Sequence, residues 1–412
     1  MRALYILGIT LFLSVGNIAE VVAQSVLPDT LRAVDARRWA LKYHPAVQEV
    51  QAFLQAAAGN VRQAGLWPNP VVEFESEEIQ WPEIGTTYGR IGQDILLGRK
   101  LKYQVRAAQA DYAVVQQTLQ LTYLDVAARA TEAFYATLIA EYRQRLVEQL
   151  DTLADQLYAT IAKMTEAGKL TMVDLERIRV EQTRIHARRL AAEAAVQAAY
   201  AQLATALGMS VWSGAHLYDT VDRLVSPPPF QQLVQKLRTY PVFVQQEAVL
   251  RSTRAQERVE RAFRWPDIGI TAGFQQLGEN GPRLLTGGIA LPLPLFNRNQ
   301  GNIQRARAEV EAAQARLKAL ELELTAELQN LYSQHVAAFQ EARLLKEQTL
   351  PAAMRAYQAI RTGYQEGKFN LLEVIDSQRT LFDVRMQYLD VLERYYRTRT
   401  QLQALTGELL AQ

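Results

Sequence analysis

The sequence lacks cysteine altogether, and glycine and proline are missing from its longest stretches. The absence of cysteine excludes disulfides, thiolate metal ligands, cysteine nucleophiles and a lipidated N-terminal cysteine. A net charge of only +2 gives no positive excess that would favour nucleic acid as a partner. With 49% hydrophobic and 21% charged residues, the chain still has enough apolar material for a large buried core.

Signals of catalysis and of a bound cofactor are also missing. The four histidines, His44, His186, His216 and His335, lack the spacing of metal ligands, and the methionines do not cluster. The sequence contains no phosphate-binding glycine loop and no serine nucleophile elbow. We therefore expect a protein that is not an enzyme, carries no cofactor and holds no tightly bound metal.

The N-terminus has the pattern of a secretory signal peptide. A basic start at Arg2 is followed by an apolar core, and Val21-Val22-Ala23 fits the small-residue cleavage site. We expect residues 1–23 to form this signal; a buried first helix is the alternative. Since no later window approaches the ~20 apolar residues of a membrane-spanning helix, a membrane crossing by the mature chain would have to use β-strands.

The chain contains an internal duplication whose period is far longer than that of a solenoid repeat. Matching pairs recur in order at offsets of 196, 198, 199 and 199 residues. They are His44-Pro45 and Tyr240-Pro241, Trp67-Pro68 and Trp265-Pro266, Gly168-Lys169 and Gly367-Lys368, and Leu207-Gly208 and Thr406-Gly407. We therefore predict two copies of one large unit, residues 24–225 and 226–412, with the second beginning at a proline-rich linker.

Each copy predicts the same three long helical segments. Apolar residues spaced three and four apart, with few helix breakers between them, indicate amphipathic helices. The predicted helices are 30–65, 100–167, 169–207, 230–264, 302–366 and 368–406. At 1.5 Å per residue, the longest would reach roughly 100 Å. Dense alanine permits close packing, so we expect antiparallel, coiled helical hairpins.

Two pairs of strands are predicted between the helices. They cover residues 71–79, 88–97, 267–275 and 284–293. In the first strand Val72 and Phe74 alternate with Glu73, Glu75 and Glu77, which we expect to face the barrel lumen or its extracellular mouth. A half-buried soluble sheet has the same periodicity, but a lone two-stranded hairpin is not stable in water. Four strands cannot close a barrel, which needs about eight or more, so several chains must share one.

The duplicated plan, the paired Gly-Lys turns and the segment LPLPLFNRNQGNI at 291–303 resemble the TolC-like outer-membrane efflux protein family. The string PLFNRNQGN is most similar to its heavy-metal branch, the CzcC and CusC type. The resemblance implies a mainly α fold with a small β part. It further implies a homotrimer in which long antiparallel helices form a periplasmic α-barrel and four strands per chain contribute to a twelve-stranded barrel in outer-membrane lipid. The implied partners are a periplasmic adaptor (membrane fusion) protein and an inner-membrane transporter of the resistance-nodulation-division type.

The resemblance also implies which residues gate the channel. Glu373 and Asp376 take the positions of an acidic ring at the periplasmic constriction, and Tyr364 matches the tyrosine of the family's tip. Several copies of such a carboxylate pair around an axis would attract cations; ordinary solvated carboxylates are the alternative. An arginine that links the closed gate in some members falls on Phe369, so that link is not expected here.

Two further groups of residues are candidates for docking and for the passage from strand to helix. The candidate adaptor-docking tips, which must also form glycine-capped turns, are Gly168, Lys169, Leu170, Thr171, Gly367, Lys368, Phe369 and Asn370. After the last strand, Pro292 and Pro294 remove backbone donors and should stop strand pairing. The polar segment from Asn297 to Gly301 should then turn the chain into the tunnel helix.

The sequence thus predicts an outer-membrane exit channel of a tripartite efflux system, with a long periplasmic part. We expect it to export metal cations or small toxic compounds and to be gated at its periplasmic tip. A drug-efflux or type I protein-secretion channel of the same fold is the second hypothesis. A soluble periplasmic coiled-coil scaffold is the third, and it would need no detergent to purify.

Overall fold

The computed structural model describes residues 27–77, 79–80, 83–278 and 280–411. The predicted signal peptide lies outside the described residues. The helices are α1 (Ala33–Tyr43), α2 (Pro45–Ala64), α3 (Lys100–Glu166), α4 (Met172–Ala206), α5 (Phe230–Gln235), α6 (Pro241–Ala262), α7 (Gln300–Leu344), α8 (Leu350–Gln365) and α9 (Leu371–Thr406). The strands are β1 (Thr30–Leu31), β2 (Val71–Ser76), β3 (Ile79–Gln80), β4 (Glu83–Ile84), β5 (Thr86–Ile95), β6 (His216–Leu217), β7 (Ile268–Leu277) and β8 (Arg283–Ala290).

A four-stranded antiparallel sheet joins the two repeats in the order β2-β5-β7-β8. The central pair, β5 and β7, is in register from Thr86 opposite Leu277 to Ile95 opposite Ile268. The predicted alternation is present, because the apolar side chains share one face of the sheet. On that face Leu285 is 94% exposed and Phe74 is 76% exposed.

The long helices continue the strands in the same lateral order. α2 precedes β2, α3 follows β5, α6 precedes β7 and α7 follows β8. α3 packs against both α2 and α6, and α6 packs against α7. The row α2-α3-α6-α7 therefore extends the sheet, with α3 and α6 in its middle. Farther from the sheet, α3 pairs with α4, and α9 packs against α3, α7 and α8.

The main hydrophobic core lies where the long helices of both repeats meet. Phe134 of α3 and Leu392 and Tyr395 of α9 are fully buried there. The short strands β1 and β6 pair in parallel beside this core. Tyr388 of α9 donates its hydroxyl to Asp222 at 2.9 Å, which ties the linker between the repeats to the helices. Burial of this apolar surface is the main stabilising contribution.

Two predicted helices are interrupted before a proline. Segment 30–65 divides into α1 and α2 because His44, which precedes Pro45, has the extended ψ of 130°. Segment 230–264 divides in the same way at Tyr240, which precedes Pro241 and has a ψ of 139°. In both repeats the proline then occupies the first turn of the next helix, where its missing N–H costs nothing.

The predicted helix 302–366 is also not continuous. A π-helical turn, Leu345–Thr349, separates α7 from α8 immediately before Pro351. Proline has no N–H to donate to the preceding turn, so the regular hydrogen-bond ladder cannot pass this point. The counterpart in the first repeat, α3, runs for 67 residues without a break.

Candidate functional site at the hairpin tips and the strand–helix junction

The first hairpin tip joins α3 to α4 through a glycine-closed turn. Gly168 has a φ of +70°. Its amide donates to the Thr165 carbonyl, and the Lys169 amide donates to the Met164 carbonyl, both at 2.9 Å. This pair of hydrogen bonds is the Schellman motif, which ends a helix and satisfies its last carbonyls. Lys169 is exposed and Leu170 is half-buried.

The second tip joins α8 to α9 through the same turn. Gly367 has a φ of +75°. Its amide donates to the Tyr364 carbonyl at 3.0 Å, and the Lys368 amide donates to the Gly363 carbonyl at 2.7 Å. Tyr364, predicted at the gate, is half-buried. The two tips therefore have one backbone design, as the paired Gly-Lys sequences predict.

Both return helices begin with a capping box three residues later than predicted. Thr171 accepts from the Asp174 amide at 3.2 Å, and the Asp174 carboxylate accepts from the Thr171 amide at 3.1 Å. In the second tip, Asn370 accepts from the Glu373 amide at 3.0 Å, and the Glu373 carboxylate accepts from the Asn370 amide at 2.7 Å. These bonds satisfy the free amides at each helix start, so the cap fixes the start at this residue. The hydrogen bonds from the Thr171 hydroxyl and amide hold the pKa of Asp174 below its usual range.

The predicted gating carboxylates have different surroundings. Glu373 is exposed, and its carboxylate caps α9. Asp376 lies one turn later and is also exposed. Within the described chain, no ion pair involves the Asp376 side chain. Asp376 is therefore the member of the pair whose charge is free to act on ions nearby.

Phe369 closes the second tip. A Cβ atom placed on Gly363 would lie 2.5 Å from the Phe369 ring, so this glycine leaves room for the aromatic side chain. Phe369 remains 39% exposed. Beside it, Lys368 pairs with Glu366 at 2.6 Å on the surface. The second tip thus presents a partly exposed aromatic ring beside a surface ion pair. The Gly-Lys pattern alone does not reveal this feature.

At the junction after the last strand, the sheet stops earlier than predicted. β8 ends at Ala290, opposite Gly269, rather than at residue 293. Pro292 and Pro294 therefore lie beyond the strand, in a segment whose backbone has no N–H at these two positions to donate to a neighbouring strand. The Asn297 side chain accepts from the Asn299 amide at 3.0 Å, which tightens the turn into α7.

The helix after this turn begins at Gln300, two residues earlier than predicted, so Gly301 belongs to its first turn. Asn299 has a φ of +58°, in the left-handed region. Its side chain donates to the Glu260 carbonyl at 2.8 Å and to the Glu260 carboxylate at 2.7 Å. These bonds join the start of α7 to the end of α6.

The polar face of the sheet holds pairs that the sequence pattern did not reveal. Glu75 on β2 forms a 2.6 Å ion pair with Arg90 on β5. Tyr88 on β5 donates to Glu77 at 3.4 Å. The predicted row of acidic residues is therefore partly neutralised by its neighbouring strand. Only the register of β2 on β5, which places Glu73 opposite Arg90, brings these side chains together.

A buried polar cluster between α3 and α4 was also missed. Asp151, 7% exposed, lies 2.5 Å from His186 Nδ1 and 3.0 Å from Arg189 Nε. Asp155 accepts from Gln182 at 2.7 Å nearby. The cluster joins residues on two helices, and the isolated positions carry no spacing signal. It fastens the first hairpin and leaves few polar groups unpaired.

Within the ranges that the structure describes, no three potential ligands of the His, Cys, Asp or Glu type come together to hold a metal ion. The described helices also include none that is long and apolar enough to span a membrane.

Comparisons with known proteins agree with this architecture. Residues 233–408 match the outer membrane efflux protein family. The cobalt-zinc-cadmium resistance protein CzcC of Cupriavidus metallidurans is 31% identical over 354 residues, which cover 86% of this chain and 84% of CzcC. The nickel-cobalt-cadmium resistance protein NccC of Alcaligenes xylosoxydans is 28% identical, over 71% of this chain and 68% of NccC.

The fold is also similar to that of solved structures. The outer membrane protein VceC of Vibrio cholerae superposes with a TM-score of 0.75 at 17% identity, covering 91% of this chain and 96% of VceC. The mostly helical architecture with a small sheet is thus the TolC-like channel fold. The chain therefore belongs to the outer membrane efflux protein family and is an outer-membrane efflux channel with a long periplasmic helical part.

Proposed function

We propose that this channel is the exit duct for metal cations in a tripartite efflux system. The observation that carries the proposal is the 31% identity, over most of both chains, to a protein named for cobalt, zinc and cadmium resistance. NccC, named for nickel, cobalt and cadmium resistance, supports the same substrate class. The duct makes and breaks no bonds. An inner-membrane transporter of the resistance-nodulation-division type supplies the energy, and a periplasmic adaptor connects the two.

The edges of the sheet support a trimer. Among the described strands, β2 and β8 lie at the edges of the four-stranded sheet and pair on one side only. An unpaired backbone group in hydrocarbon costs several kcal/mol, whereas exposed apolar residues such as Leu285 and Ile289 suit lipid. Three copies of four strands close a twelve-stranded barrel. The outer helices of the row, α2 and α7, then meet between copies and close the periplasmic α-barrel.

Gating and docking are assigned to the two tips. Lys169, Leu170, Lys368 and Phe369 form the projecting ends that face the adaptor in this proposal. Asp376, whose carboxylate is in no ion pair among the described residues, supplies the cation-attracting charge of the constriction, and Tyr364 is assigned to the same gate. Glu373 contributes charge to the ring but is held in place by its capping bonds to Asn370.

The substrate class is tested by deleting the gene in its own host. The deletion strain should become sensitive to cobalt, zinc and cadmium salts and keep its tolerance of detergents and lipophilic drugs. Expression of the wild-type chain from a plasmid should restore growth. Loss of drug tolerance with unchanged metal tolerance would assign the channel to drug export instead.

The gate is tested by single-channel recording in planar bilayers. Asp376→Asn should weaken block by multivalent cations, because it removes one charge per chain from the constriction. Glu373→Gln should have a smaller effect on block. Asp174→Asn, which alters the equivalent cap of the first tip, is the matched control. Equal block in Asp376→Asn and the wild type would remove the acidic ring from the proposal.

A further inference from the structure

An open surface cavity of about 540 Å³ lies where β5 passes into α3 and α6 passes into β7, and the arginines that line it are exposed. Four arginines line it, Arg99 and Arg106 from the α3 side and Arg258 and Arg261 from α6. Arg261 pairs with Glu257 at 2.6 Å. In the described part of the chain no ion pair involves the other three. The cavity therefore has a net positive charge, because only one of its four arginines is paired with a carboxylate of the protein.

The first turn of α3 adds to this positive character. Arg99 precedes the helix with a φ of +59°, and no side chain caps it. Free amides and the helix dipole at such an end both favour an anion. Guanidinium groups bind phosphate oxygens through paired, charge-assisted hydrogen bonds. The combined chemistry is that of a phosphate site.

The surroundings of the cavity favour a phosphate that is attached to lipid. Trp265 lines the cavity and is 61% exposed. At the same end of the sheet, Leu293, Leu295 and Phe296 are at least 64% exposed. Tryptophan at the boundary of an apolar band is typical of the headgroup level of a membrane, and arginines at that level attract anionic lipids.

The first repeat shows that the two arginines of α6 are not needed where a helix passes into a strand. The tryptophan recurs there as Trp67, at an offset of 198 residues. At the same offset, however, Arg258 corresponds to Asn60 and Arg261 to Gln63. The positive charge that α6 contributes is thus specific to one junction. The cavity lies between the two middle helices of the row, α3 and α6, and not at the outer helices where copies would meet.

We propose that this cavity binds the phosphate of an anionic phospholipid in the membrane leaflet that faces the periplasm. The inference rests on the proposed placement of the sheet in the membrane. The bound headgroup holds the junction at a fixed depth, with Arg106 and Arg258 on the phosphate and Trp265 beside the upper acyl chains.

Native mass spectrometry of the full chain, purified in detergent, tests the site. The protein is titrated with phosphatidylglycerol, with phosphatidylcholine and with inorganic phosphate. Wild-type protein should retain phosphatidylglycerol in preference to phosphatidylcholine, and millimolar phosphate should not displace it. The double variant Arg106→Gln/Arg258→Gln should lose affinity for phosphatidylglycerol by about tenfold or more. The control Arg62→Gln/Arg264→Gln removes the same charge at the ends of α2 and α6, outside the cavity lining, and should bind like the wild type.

Three results would overturn the proposal: equal retention of both lipids by the wild type, equal losses in the two double variants, or displacement of lipid by inorganic phosphate. A second measurement uses nanodiscs that contain brominated phosphatidylglycerol. Quenching of tryptophan fluorescence should fall in Trp265→Phe and stay unchanged in the cavity-distant Trp212→Phe. Failure of the protein to enter nanodiscs at all would instead contradict the membrane placement, so the two failures are distinguishable.

Discussion

The two hairpin tips have the same backbone conformation but carry different apolar side chains. Each has a left-handed glycine, a Schellman turn and a capping box. At an offset of 199 residues, however, Met164 and Leu170 of the first tip correspond to Gly363 and Phe369 of the second. The first tip distributes its apolar bulk over two positions, and the second concentrates it in one aromatic ring over a glycine. The two repeats thus share the turn and differ in the side chains at the surface of the tip.

The stems of the hairpins differ more than their tips. In the first repeat α3 is continuous, and Asp151 fastens it to α4 through His186 and Arg189. In the second repeat a π-helical turn and Pro351 interrupt the corresponding helix. Helices kink at such points. The comparison therefore indicates a rigid first hairpin and a second hairpin with a built-in place to bend.

The largest expected effect concerns the polar contacts that join α3 to α4 in the first hairpin. Asp151→Ala removes the buried carboxylate that His186 and Arg189 contact and should destabilise the α3–α4 hairpin by about 2.5 kcal/mol. Hydrogen exchange followed by mass spectrometry should show faster exchange in α3 and α4 and unchanged exchange in α8 and α9. The control Asp155→Ala, at a more exposed neighbouring carboxylate, should have a much smaller effect. Equal exchange in wild type and Asp151→Ala would show that the cluster does not fasten the hairpin.

A second difference between the repeats is a buried histidine on α7 that titrates in acid. His335 on α7 is buried against Thr398, and burial, with a smaller contribution from Arg399, lowers its pKa to about 4. At offsets of 198 to 200 residues the first repeat has Thr137, Ala136 and Tyr135, so it has no histidine there. A lowered folded pKa means that the neutral form stabilises the fold above the unfolded pKa of about 6.5. This contribution is lost as the pH falls towards 4.

Between pH 7 and pH 5 this loss should be about 2 kcal/mol. Thermal unfolding of the detergent-solubilised protein should therefore show a lower Tm at pH 5 than at pH 7. His335→Gln should remove most of that difference, since glutamine does not titrate. The control His186→Gln should keep it. An unchanged pH difference in His335→Gln would assign the acid sensitivity to other groups.

The different apolar residues of the two tips can be tested by placing residues of the first tip in the second. Gly363→Met forces a side chain into the Phe369 ring and should destabilise the second tip by about 1.5 kcal/mol. The double variant Gly363→Met/Phe369→Leu gives the second tip the two residues of the first tip and should recover most of that loss. Hydrogen exchange of the tip peptides measures both. Additive effects of the two substitutions would show that the ring and the glycine are not coupled.

The smallest expected effect is an equal loss of stability when the turn glycine of either tip is replaced. Gly168→Ala and Gly367→Ala each place a side chain in the left-handed region and should cost about 1 kcal/mol at their own tip. Neither added Cβ meets a neighbour within 4 Å, so strain of the backbone is the whole cost. Hydrogen exchange should report equal losses. A clearly larger loss at either tip would reveal a constraint that the shared turn does not contain.

Local sequence determined the parts of this fold that depend on neighbours in the chain. The turns at Gly168 and Gly367 were predicted because a left-handed glycine is required within a few residues of each helix end. Strand alternation and helix periodicity were predicted for the same reason. The break at His44 was missed because the helical pattern around it is strong, although the proline that causes it is visible in the sequence.

Only the tertiary structure decided which distant residues meet. The sequence by itself predicted two copies of one unit, long helices, the four strands of the main sheet and the glycine-closed tips, since periodicity and turn chemistry are local properties. It did not determine that β5 pairs with β7 across the repeats, that Asp151 meets His186, or that four arginines converge on one junction. These contacts depend on register and on the rotation of each helix about its axis. A shift of one residue in either changes every partner.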